Sequence, residues 1–165
     1  MTSLASPADN APWLLIAWGN RSRGDDALGP LLLDRLQAWL GQTVGAQAPQ
    51  VACIEDQQLQ VEHALDLLGR RGVLFIDAAL DLRQPFAIET LRARRDASFS
   101  THALSPQAVL QAHLDVCRCP PPPSTLLTLR ASAFDLGTPP SAQALSDLAL
   151  AEVWARDWLT RCRRT

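Results

Sequence analysis

Six apolar residues in succession, Trp13 to Trp18, end at Gly19-Asn20, and an unbroken apolar run closed by a tight loop predicts a strand buried on both faces. From Asp26 onward Leu28, Leu32, Leu36 and Leu40 recur at every fourth position, which predicts one apolar helix face. That helix tolerates Pro30 in its first turn and stops at Gly41. The pattern repeats: Val51 to Glu55 reads as a short strand, Val61 to Leu68 as a helix with Leu65 and Leu68 inward, and Gly72 to Asp77 as a second fully buried strand. Two strand-helix units in a row imply parallel strands joined by right-handed crossovers. Phe86 to Leu91 alternates less cleanly and is expected to be a fourth strand, followed by a polar loop from Arg92 to Leu104. Ser105-Pro106 then opens a helix, with serine as N-cap and proline at the first helical position. Pro120 to Pro123 form a stiff connector ahead of a fifth strand, Thr125 to Arg130. Leu145, Leu148, Ala151, Ala155, Leu159 and Cys162 follow helical spacing to the end of the chain, where Arg161, Arg163 and Arg164 suit the negative end of the helix dipole. The expectation is a single α/β domain over 1–165, with a mostly parallel sheet of about five strands.

With 47% hydrophobic positions among 165 residues, the chain can bury one substantial core. Its 15 basic and 17 acidic residues are interspersed, so neither a nucleic-acid footprint nor a polybasic membrane patch is expected. Every basic residue is arginine; without lysine, Schiff-base chemistry, a phosphate-gripping P-loop lysine and a Ser-Lys pair are all excluded. The opening residues MTSLASPADNAP carry no basic cluster, and the apolar run after them is too short for a membrane span, which points to the cytoplasm. Cys53, Cys117, Cys119 and Cys162 do not have zinc-ribbon spacing and read as reduced thiols, with Cys117 and Cys119 the one pair that stands apart.

The first loop, Gly19-Asn-Arg-Ser-Arg-Gly24, has P-loop glycine spacing, but Asp25-Asp26 follow where Lys-Ser/Thr would grip a phosphate. Taken alone, the two acids would serve as helix caps. Asp77 changes that balance, because it ends a buried strand where open α/β sheets form their ligand crevice. If the first and third strands are neighbours, Asp26 and Asp77 open onto one crevice, and two such carboxylates must share a proton or bind a cation. His102, in the loop after the fourth strand, completes an O, O, N donor set suited to nickel or zinc with open positions. His63 and His113 fall within helices, where dipole or surface roles account for them. A response-regulator receiver would need a lysine after the fifth strand, and neither H-E-x-x-H nor G-x-S-x-G occurs.

GNRSRGDDALGP after the first strand, FIDAAL at the third and STHALSP before a helix together resemble the endopeptidases that mature [NiFe]-hydrogenase large subunits. QLQVEHALDLL and FDLGTPPSAQALSDL resemble the subgroup serving cytoplasmic NAD-linked bidirectional hydrogenases. The resemblance implies an α/β/α sandwich and removal of a C-terminal extension from the large-subunit precursor once nickel is inserted. It carries the family's metal-contacting acid onto Asp26, its strand-end aspartate onto Asp77 and its loop histidine onto His102. Some members have glutamate where this chain has the shorter Asp26. The implied nickel is held by the precursor's cysteines rather than by the free enzyme, and the implied partner is that precursor. A non-catalytic nickel-checking module with the same crevice is the alternative, and an unrelated metal-dependent hydrolase using the same three residues is a third.

Overall fold

The structure, a computed structural model, describes residues 11–43, 48–96 and 104–162. Among these residues five strands form one sheet: β1 (Trp13–Trp18), β2 (Val51–Asp56), β3 (Gly72–Ala79), β4 (Phe86–Thr90) and β5 (Ser124–Arg130). Their spatial order is β2-β1-β3-β5-β4; β4 alone runs antiparallel, along the outer edge of β5. The helices are α1 (Leu28–Gln42), α2 (His63–Asp66), α3 (Pro106–Cys117) and α4 (Ala142–Cys162), with a 3-10 turn over Gly24–Ala27 leading into α1.

Strand alternation divides the apolar run of β1 between two cores. Leu15 and Ala17 join Leu74 and Ile76 of β3 on one face, beneath Leu28, Leu32 and Leu36 of α1 and Leu148, Ala151, Ala155 and Leu159 of α4. Leu14 and Ile16 join Val73 and Phe75 on the other, beneath Ala64 of α2 and Val109 and Leu110 of α3. The result is the expected three-layer α/β/α sandwich. Each fully buried leucine contributes about 2 kcal/mol relative to its exposed state, so α1 is held chiefly by its leucine stripe. Among the described residues no helix is long and apolar enough to cross a membrane.

Three local expectations are corrected. α2 spans one turn and turns the other way round: Leu65 and Leu68 are each 58% exposed, while His63, Ala64 and Leu67 are buried. His63 and His113 are therefore core residues, not surface ones. On α4, Ala144 takes the inward place expected of Leu145, which is partly exposed. Ser105 caps α3 as expected, accepting from the Ala108 amide at 3.1 Å.

Strand order creates the site. The crossover after β1 places α1 on one face, whereas the chain after β3 reaches β5 through α3 on the other. The carboxyl ends of β1 and β3 thus form the switch point at which open α/β sheets leave a crevice. β3 runs past β1, so Asp77, Ala78 and Ala79 pair only with β5. α1 begins directly on this edge: a Cβ on Gly29 would lie 2.7 Å from the Trp18 carbonyl oxygen and 3.1 Å from that of Ile76.

Candidate active site

The loop after β1 is built to hold one carboxylate. Gly19, at φ +136°, donates its amide to the Asp56 carbonyl at the end of β2 (3.1 Å). A side chain there would put its Cβ 2.0 Å from the Asp26 carbonyl oxygen, so only glycine lets the loop fold back on Asp26. The Asn20 amide donates to Asp26 Oδ2 at 2.9 Å, while the Asn20 side-chain oxygen accepts from the Ser22 amide at 2.8 Å. Asn20 thus stabilises the turn and fixes the acid within it. Arg21 donates to both oxygens of Glu55 and both of Asp34, which raises its pKa and ties the loop to β2 and α1.

Asp25 and Asp26, adjacent in sequence, have opposite surroundings, and neither caps a helix: the 3-10 turn and α1 both start without a side-chain cap. Asp25 is buried and accepts from the Ser132 amide (2.7 Å), the Ser141 amide (2.6 Å) and the Ser141 hydroxyl (2.9 Å). Burial opposes its charge, but these hydrogen bonds outweigh it and hold the carboxyl below its usual range. Ser141 also caps α4 through the Ala144 amide, and the Gly24 amide reaches the Thr138 carbonyl. Asp25 therefore clamps the loop onto the β5-α4 connection and leaves Asp26, half-buried, as the acid whose charge reaches Asp77.

Asp77 points to the face that carries Phe75 and accepts from the Ala78 amide at 2.8 Å. Burial pushes its carboxyl up to about 7, the Ala78 amide works against that rise, and the charge of Asp26 adds to it. Asp26 and Asp77 therefore sense each other, as two acids on one crevice must. A proton held on Asp77, or a cation, relieves the repulsion.

The structure adds a group to this edge that sequence reasoning passed over. Asp56 is level with Trp18, and Asp77 lies one step beyond the Ala17–Ile76 pair, so the three occupy one row across β2, β1 and β3. The row places the backbones of Asp56 and Asp77 about 10 Å apart, with Trp18 between. His63 Nδ1 accepts from the Gln60 amide at 2.9 Å, so its ring hydrogen is on Nε2, which faces Asp56 Oδ2 at 3.5 Å. Gln60 Nε2 donates to the same oxygen at 3.1 Å, and the Gln57 amide to Asp56 Oδ1 at 2.6 Å. The only sequence signal for this cluster is the QLQVEH stretch that begins just after β2.

His102 lies outside the described residues. Because β4 is antiparallel, the chain leaves it at the amino edge of the sheet. The Leu104 amide, where the described chain resumes, bonds to the Leu59 carbonyl just beyond β2. Among the described residues no three His, Cys, Asp or Glu side chains are grouped to hold a metal ion.

No family model and no curated protein matches the chain. Solved structures do. The [NiFe] hydrogenase maturation protease HycI from Thermococcus kodakarensis KOD1 is 21% identical, with a TM-score of 0.62 over 92% of this chain and 93% of that one. Hydrogenase maturating endopeptidase HybD from E. coli is 18% identical, with a TM-score of 0.67 over 91% and 93%. The HybD protease from Thermococcus kodakarensis, also 18% identical, gives 0.62 over 89% and 98%. Likeness at such identities is one of architecture, and along nearly its whole length this chain has the fold of the hydrogenase maturation endopeptidases.

Proposed function

We propose that the chain is an endopeptidase that removes a C-terminal extension from the nickel-loaded large-subunit precursor of a [NiFe] hydrogenase, in the cytoplasm. The observation that carries this reading is the convergence of Asp26 and Asp77 at the β1/β3 switch point, within a fold shared with hydrogenase maturation endopeptidases. Nickel belongs to the substrate: held by the precursor's cysteines, it docks against Asp26, Asp77 and His102 and brings the scissile peptide with it. Binding thereby reports that the precursor is loaded. Asp26 arrives with its orientation already set by the Asn20 amide. Asp77, with its carboxyl near 7, gives up its proton as the cation approaches, and either carboxylate is then able to take a proton from the attacking water while nickel polarises the peptide carbonyl.

Intact-mass spectrometry of a nickel-loaded and a nickel-free precursor, each with and without this protein, tests the reading. The expected result is loss of a C-terminal peptide from the loaded precursor only, abolished by Asp77→Asn in a protein that remains folded. A loaded precursor that binds and keeps its mass would instead make the chain a non-catalytic nickel-checking module. Cleavage of the nickel-free precursor would remove the metal from recognition.

A further inference from the structure

The Cys117-Arg118-Cys119 segment ends α3, on the helical layer that faces away from α1 and α4. Arg118 adopts φ +57°, which closes the helix and turns the chain back. The turn brings Cys119 Sγ to 3.5 Å from His113 Nε2. His113 is 1% exposed, and its Nδ1 lies 2.8 Å from the Ala64 carbonyl oxygen of α2. A carbonyl oxygen only accepts, so the ring hydrogen is on Nδ1 and the Nε2 lone pair is directed at the thiol. A nucleophile, a base and a group orienting the base are thus in line, the arrangement by which enzymes activate thiols. Cys119 is part-exposed, whereas burial raises the thiols of Cys53 and Cys162 to about 11 and makes them poor nucleophiles.

We propose that Cys119, with His113 as its base, is a reactive thiol that exchanges with low-molecular-weight disulfides, a modification site separate from the Asp26/Asp77 crevice. In the step, the Cys119 S–H proton passes to His113 Nε2 and the thiolate attacks one sulfur of the disulfide. A new S–S bond forms at Cys119 and the reagent's S–S bond breaks. The departing sulfur leaves with the bonding electron pair and takes up a proton, so the protein sulfur is oxidised and the leaving sulfur reduced. The charged and titratable groups nearest in the chain and on the packed α2 are Asp115, Arg118, His63 and Asp66; among the described residues only His113 is hydrogen-bonded to the sulfur.

The inference does not depend on the processing activity, and its test needs no precursor. Iodoacetamide alkylation of the wild-type protein at pH 7 is followed by peptide mass spectrometry, in native buffer and in concentrated urea. Partial burial by itself can only slow a thiol, so native Cys119 reacting about ten-fold faster than the same cysteine unfolded would require activation by the fold. Cys117 should instead react more slowly in the native protein. His113→Asn keeps a donor for the Ala64 carbonyl but removes the base, and should take the native Cys119 rate down by a similar factor. Oxidised glutathione should form its mixed disulfide at Cys119 in preference to the other three cysteines. A native Cys119 rate at or below the unfolded one would overturn the proposal and leave the thiol as a hydrogen-bond donor that satisfies a buried histidine; that comparison stands even if the His113 variant does not fold.

Discussion

An aspartate in an unfolded chain titrates near 3.9, whereas Asp77 in the fold is pushed to about 7, first by burial and then by the charge of Asp26. Between those two values the folded protein holds a proton that the unfolded chain has released. Stability therefore falls as pH rises through that interval and is level above it. Asp77→Asn removes the burden, and the variant should gain on the wild type across the same interval, by roughly 4 kcal/mol in all once the pH is above 7. Urea denaturation at a series of pH values measures this, and parallel curves for the two proteins would show that Asp77 is not held protonated. At this scale the sequence marks the candidate acids and not the surroundings of each one. Asp25 and Asp26 are equivalent caps when read along the chain, yet one is a buried clamp and the other is held half-buried by the Asn20 amide, within electrostatic reach of Asp77. Their difference comes from Ser132 and Ser141, more than a hundred residues away.

Elements were legible in proportion to their length. The 21 residues of α4 contain enough turns for the spacing of Leu148, Ala151, Ala155 and Leu159 to set its buried face. The two alanines lie in the core that α4 shares with α1, and both are fully buried. Ala151→Leu should overpack that contact and cost about 1–3 kcal/mol, while Val153→Glu, on the exposed side, should stay within about 0.5 kcal/mol of the wild type. Thermal or urea unfolding of the pair decides whether the stripe is correctly phased; equal effects would mean it is not. α2 failed for the complementary reason. A helix of one turn has no period of its own, and its rotation is set by what it touches: His63 against Asp56 and Gln60, and the Ala64 carbonyl against His113. Leucine identity then predicts burial wrongly at Leu65 and Leu68.

Across the whole molecule, the loop after β1 is held from three directions: Asp56 at the end of β2, the β5-α4 connection through Asp25, and the start of α1 on the strand-end carbonyls. Asp25→Ala would leave the Ser132 and Ser141 amides without an acceptor, a loss of about 3 kcal/mol, and should lower the melting temperature by roughly 10 °C. A melting temperature unchanged in differential scanning calorimetry would mean that the clamp does not hold the loop. The sequence by itself determined the α/β class, the two buried parallel strands, the helix between them and the loop acids, because hydrophobic period and turn chemistry are local properties that neighbours along the chain already express. Only the tertiary structure decided that β1 and β3 are adjacent, that β4 reverses, that Asp56 and His63 share the edge with Asp77, and that Cys119 meets His113. Those are distances between residues far apart in the chain, fixed by which faces bury together, and no spacing along the sequence encodes them.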